Sequence, residues 1–177
     1  MKIVLIRHFK VGYKWKFSYN SEEYESACAG YNAATVITTP LDVPLTAKLI
    51  TSTMSRALET SRIAFSKAPD RSYDELCEVP IRPFVKTRLK LPKIVWDVFG
   101  RIQWRFNLGA QPERYAESKR RVHSFLDSLI GEGEDAIIVC HGWIIKLMVP
   151  KLLSAGFRGP KPVYIVNGLP YVYVRKD

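Results

Sequence analysis

Met1-Lys2-Ile3-Val4-Leu5-Ile6-Arg7-His8 opens the chain as an apolar run that stops on two strongly polar side chains. Residues 2–7 read as a buried β-strand, because a short, continuous apolar run suits a strand covered on both faces. In open α/β sheets, ligands bind outside the carboxyl ends of the strands, which is where His8 falls. An imidazole can serve as a covalent nucleophile, and a guanidinium can hold phosphate through two hydrogen bonds. The junction therefore points to phosphoryl chemistry on histidine.

A second run repeats the arrangement. Ala136–Cys140 is wholly apolar and leads directly into His141-Gly142 and a helical stretch to about Leu153. A helix starting at Gly142 would turn its first amides toward the strand end, which favours an anion. Between the two histidines, Lys48–Ser52 reads as a further strand and is followed by a helix to about Ser66, capped by Ser52 or Thr53. Arg56 then lies near that helix N-terminus, a position suited to phosphate. Three strand-to-helix junctions thus each deliver a phosphate-competent side chain.

The rest of the chain fits the same architecture. Ser21 reads as the capping serine of a helix to about Asn32, with the acids Glu22, Glu23 and Glu25 following it. Lys93–Phe106 is amphipathic: Ile94, Val95, Val98, Phe99, Ile102 and Phe106 form one face, and Lys93, Asp97, Arg101 and Arg105 the other. A longer helix opens at Gln111-Pro112-Glu113 and is stopped by Gly131, and strands are expected at 163–166 and 171–174. The alternation predicts one α/β domain over 1–177, a three-layer α/β/α sandwich with a mostly parallel, mixed sheet.

Composition narrows the classes. With 177 residues, 47% hydrophobic and 25% charged, the chain has a globular composition that excludes disordered and collagen-like classes. Cys28, Cys77 and Cys140 are scattered and odd in number, which suits a reducing, cytoplasmic setting better than a disulfide framework or a zinc site. No apolar run reaches the length of a membrane span. The net charge of +10 would draw in anions, and phosphorylated small molecules fit that field; nucleic acid is not the expected partner.

Taken together, these junctions resemble the histidine phosphatase superfamily, the phosphoglycerate mutase-like family. Its Arg-His-Gly motif corresponds to Arg7-His8-Phe9, and its second motif to Thr51-Ser52-Thr53-Met54-Ser55-Arg56-Ala57-Leu58-Glu59-Thr60-Ser61. Leu76-Cys77-Glu78 matches its third, and Val139-Cys140-His141-Gly142 its fourth. The resemblance implies a phosphate monoesterase of the phosphatase branch. His8 would attack phosphorus and become a phosphohistidine, while Arg7, Arg56 and His141 bind the phosphate oxygens. Glu78 would act as general acid and base, with Glu75 as the alternative. No metal and no cofactor are implied. Lys10 could add a charge to the phosphate pocket.

The pattern also departs from the family. Phe9 replaces a glycine, and its ring must either point elsewhere or narrow the site. That departure motivates a second expectation, a phospho-ligand binding module of the same fold with little turnover. A phosphoglycerate mutase-like phosphotransferase is a third, disfavoured because the usual stretch after the acid is missing. The segment 82–106, basic with Trp96 and Trp104 interleaved, is expected to cover the substrate; the alternatives are a surface helix resting on an acidic membrane or partner and an ordinary amphipathic helix with a solvated basic face.

Overall fold

A computed structural model describes residues 1–109 and 111–176. In chain order the elements are β1 (Lys2–Arg7), β2 (Lys10–Val11), β3 (Ser18–Tyr19), α1 (Ser21–Ala33), β4 (Val36–Ile37), β5 (Lys48–Ser52), α2 (Ser55–Phe65) and β6 (Arg71–Tyr73). A 3-10 turn (Asp74–Leu76) follows, then β7 (Leu91–Pro92), α3 (Lys93–Phe106), α4 (Tyr115–Glu132), β8 (Ala136–Cys140), α5 (Gly142–Ser154) and β9 (Pro170–Val174). These group into two compact units. One comprises Met1–Val11, Thr35–Glu78 and Arg120–Asp177; the other comprises Gly12–Ala34 and Val79–Lys119.

The first unit holds a five-stranded sheet in the order β6-β5-β8-β1-β9. Its first four members are parallel, and β9 closes the edge antiparallel to β1. Val4, Ile6, Leu49, Ile137 and Val139 pack with Ala57 of α2 on one face. The alternate residues Ile3, Leu5, Ile50 and Ile138 are equally buried, so the sheet is covered on both faces, as its unbroken apolar strands require. The result is the α/β sandwich with a mostly parallel, mixed sheet that the element alternation predicts.

Four local expectations differ from the structure. The cap of α1 is Asn20 and not Ser21: its Oδ1 accepts from the Glu23 amide at 2.9 Å, and Glu23 Oε2 accepts from the Asn20 amide at 2.9 Å, which leaves Ser21 as the first helical residue. Residues 163–166 are not a strand; Val163 and Tyr164 are exposed, and the antiparallel edge begins at Pro170. Helix α4 starts at Tyr115 and runs through Gly131, ending before Gly133, whose φ of +72° takes the left-handed turn. The start of α2 has Met54 in the capping position and no side-chain cap. Both expected caps are engaged elsewhere: Ser52 with His141, and Thr53 with Asp74.

In the second unit, β3 pairs with β7, and Tyr19, Tyr24, Ala27 and Trp96 form the core. Helix α3 is turned opposite to the sequence expectation. It buries Trp96, Gly100 and Trp104, while Ile94, Val98, Ile102 and Phe106 are exposed. Each tryptophan brings a large ring to the core, and each indole N–H finds an acceptor there: the Tyr19 carbonyl at 3.0 Å and Ser118 Oγ at 3.0 Å. Gly100 lets the helix close on Ile81, whose side chain would lie 2.8 Å from any Cβ there.

The Phe9 ring is fully buried in the first unit. It packs across Gly168, where a Cβ would come within 3.1 Å of the ring and the backbone has a φ of +69°. The Gly168 amide donates to the Arg7 carbonyl at 2.8 Å, which fixes this turn beside β1. The phenyl ring thus occupies room that a missing side chain at 168 provides. Gly168→Ala should cost about 1–3 kcal/mol through the left-handed backbone alone, with ring displacement added. Thermal melting should show a drop of several degrees; an unchanged midpoint would contradict the packing described.

Candidate active site

The site is built in the first unit from the ends of three adjacent strands. In the β1–β8 register Arg7 faces Cys140, so the next residues, His8 and His141, leave the sheet side by side. On the other flank of β8 lies β5, whose last residue is Ser52. Helix α2 then contributes Arg56 from its first turn, and α5 begins directly after His141.

His8 is 2% exposed, and its ring centroid lies 5.1 Å from that of His141. Its Nδ1 is 2.6 Å from the Phe9 carbonyl oxygen. A carbonyl can only accept, so Nδ1 carries the proton and Nε2 keeps its lone pair. Arg56 Nε donates to that Nε2 at 3.2 Å. Burial, followed by the positive charges of Arg56 and Arg7, pushes the His8 pKa down from 6.5 to about 3, against the raising effect of the Phe9 carbonyl. The imidazole is therefore neutral at ordinary pH.

The backbone around His8 is tied on every side. Its amide donates to the Cys140 carbonyl at 2.9 Å, and its carbonyl accepts from Asn167 Nδ2 at 2.7 Å. The Phe9 amide donates to Thr60 Oγ1 at 2.9 Å, and Thr60 in turn donates to the Arg56 carbonyl at 2.6 Å. This chain couples the position of the imidazole to the helix that carries the arginine.

His141 is fully buried, with Nε2 at 2.7 Å from Ser52 Oγ. Its pKa is held well below 6.5, first by burial and then by Arg56, His8 and Arg7. Its Nδ1 and Arg7 Nε are buried polar atoms without a hydrogen-bond partner among the described residues. Arg7 Nη1 donates to the Ile165 carbonyl at 2.8 Å, and the guanidinium lies against the start of α5, with Cζ and Nε 3.5 Å from where a Gly142 Cβ would be. Unpaired buried polar atoms are costly, and two in one site call for a partner such as a bound water, ion or ligand.

Glu78 is half-buried at the same α5 terminus, where its Oε2 accepts from the Trp143 amide at 3.4 Å. Glu75 is exposed, and its backbone carbonyl is taken by Arg121. Arg7, His8, Arg56 and His141 thus converge, and Glu78 shares the α5 terminus. Lys10 stands exposed on β2, whereas the side chains that meet around His8 are buried. Sequence reasoning passed over Ser52, Thr60 and Asn167 as members of the site. Ser52 and Thr60 lay inside a quoted motif, and Asn167-Gly168 carried a turn signal, but nothing local identified their partners.

A model of the histidine phosphatase superfamily (branch 1) matches residues 30–168, a stretch that contains Arg56, Glu78 and His141 and begins after Arg7 and His8. A search of curated proteins gives no match. Among known structures, the chain is similar to the alpha-ribazole phosphatase from Shigella flexneri, with a TM-score of 0.60 at 17% identity over 97% of this chain and 89% of that one. Bacillus stearothermophilus YhfR gives 0.58 at 20% identity over 97% and 89%. The phosphoglycerate mutase from Thermus thermophilus gives 0.55 at 20% identity over 97% and 92%. At such identities the structural likeness establishes the fold, and the family match over most of the sequence establishes the lineage: the chain belongs to the histidine phosphatase superfamily.

Proposed function

We propose that this protein is a metal-independent phosphatase that hydrolyses a phosphate monoester through a phosphohistidine on His8. The observation that carries the reading is the tautomer of His8. Its proton is committed to the Phe9 carbonyl, so the nucleophilic lone pair of Nε2 is directed toward the Arg56 guanidinium. A phosphate group arriving there would meet Arg56, Arg7 Nε and His141 Nδ1. With Ser52 donating its hydroxyl proton to Nε2, His141 Nδ1 carries a proton and can donate to an oxyanion.

The chemistry runs in two displacements. His8 Nε2 forms a bond to phosphorus as the bond to the leaving oxygen breaks, and Glu78 supplies that oxygen with a proton. Glu78, now a carboxylate, takes a proton from water whose oxygen attacks the phosphohistidine, and neutral His8 is restored. Arg7, Arg56 and His141 hold the non-bridging oxygens, and each such donor typically contributes about a hundredfold or more in rate. Packing of the Phe9 ring on Gly168 supports turnover over a binding-only module, because the ring has its own buried place.

With a chelator present and an aryl phosphate as substrate, His8→Ala should lower kcat at least about a thousandfold. The wild-type enzyme should yield an acid-labile phosphoenzyme that the variant lacks. Activity surviving the substitution would remove His8 from the role of nucleophile.

The depressed His8 pKa gives a pH signature. Between about pH 3 and 6.5 the unfolded chain binds a proton at this residue that the folded one does not. Stability therefore rises with pH across that window and is lost as the medium is acidified. Buried His141 acts in the same direction. Denaturant midpoints should fall between pH 7 and 4.5, and fall less steeply in His8→Asn. Followed by NMR in the folded wild type, the His8 ring should show no titration near pH 6.5; a His8 midpoint there would contradict the buried neutral imidazole.

A further inference from the structure

Helix α3 shows solvent the wrong side of itself. Its four-residue stripe Ile94, Val98, Ile102 and Phe106 is exposed, with Ile94 and Phe106 each at 64%. At 1.5 Å per residue the stripe runs about 18 Å along one side of the helix. Phe17 extends it at the N-terminal end: it is 82% exposed, and its carbonyl accepts from the Lys93 amide at 2.8 Å. Leu108 prolongs it at the other end. Soluble proteins rarely leave so continuous an apolar surface without a use for it.

The surroundings of the stripe are cationic. From Arg82 to Leu108 there are seven lysines and arginines and a single carboxylate, Asp97, which is already bonded to Tyr24 and Lys93; two of the cations are met by α1, Lys90 by Glu23 at 3.3 Å and Arg82 by Glu25 at 4.0 Å, so the positive charge is in excess but partly paired. Lys14 and Lys16 precede Phe17, and Lys86, Arg88 and Lys90 surround Leu89; all five cations are exposed. Exposed apolar side chains among exposed cations match an interface with anionic headgroups above and acyl chains below.

We propose that this face of the second unit is a docking surface for anionic phospholipid bilayers. Charge complementarity selects this occupant. A second copy of the chain would bring a like-charged rim against this one, and a nucleic acid backbone offers nothing to cover the aliphatic stripe. Helix α3 would lie in the plane of the surface, with the stripe inserted and the basic residues at headgroup level. The chain has no helix among its described residues long and apolar enough to cross a membrane, so attachment is to one leaflet and reversible.

The test is co-sedimentation of the full chain with vesicles of phosphatidylcholine and phosphatidylglycerol at about 70:30, against vesicles of phosphatidylcholine alone, in about 0.1 M salt, where surface charge is still felt over about 10 Å. Retention on the anionic vesicles only is expected. Ile94→Ser with Phe106→Ser should weaken it at least about tenfold, since each residue loses an apolar burial. Phe17→Ser, outside the helix, repeats the apolar test without touching α3. Arg88→Glu with Lys90→Glu should weaken retention by about fivefold or more for each charge removed. Melting curves check that each variant folds. No retention of the wild type overturns the proposal. So does retention unchanged by the apolar variants, which is mere electrostatic adsorption of the kind a nucleic acid would share. A concentration-dependent dimer lost in Ile94→Ser with Phe106→Ser assigns the face to self-association and also overturns it.

Discussion

The register of β1 against β8 is the constraint on which the site depends. Arg7 stands opposite Cys140, and this single alignment releases two histidines at adjacent strand ends. A slip of one residue would turn Ile3, Val4, Leu5 and Ile6 to the wrong faces. Because both faces of the strand are packed, the core itself holds the register. Sheet stability and the spacing of the imidazoles are therefore one property. The bond from the His8 amide to the Cys140 carbonyl extends the ladder one step beyond the strand, into the site.

Around that alignment the protein gathers positive charge in a dry place. Arg56 is almost fully buried beside two imidazoles, and both imidazoles respond by staying neutral. Such a cluster costs stability unless an anion completes it. The sandwich tolerates the cost because the surrounding strands are unbroken apolar packing. Burial also strengthens every contact a bound phosphate would make, since little water competes for it.

Much of this was legible in the sequence. The apolar runs ending in histidine marked the central strands, and Arg56 was read near a helix N-terminus, where it is the second residue of α2. Legibility failed where one side chain had a choice of partners. Ser52 and Thr53 both read as helix caps, yet long-range partners claimed them, and the helix began without one. The stretch at 163–166 had strand composition, but its carbonyl at Ile165 serves Arg7 and no strand pairs with it. Helix α3 was misoriented because periodicity marks an apolar face without saying which face the rest of the chain covers, and the partners of Trp96 and Trp104 are distant in sequence, at Tyr19 and Ser118. The Phe9–Gly168 pair was invisible because its members are 159 positions apart and only the fold makes them complementary.

Under the proposed mechanism, the bond from Arg56 to His8 would have a consequence for the end of the cycle. In the resting protein the guanidinium rests on the atom that would attack phosphorus. A departing phosphate would thus face an internal competitor for the same arginine. Each time the product loosened, His8 could reclaim Arg56 and hinder rebinding. The same contact would cap the lone pair between turnovers, shielding it from stray electrophiles and metal ions. In the proposed reaction Arg56 would then not only hold the phosphate but also clear the site and guard it while idle.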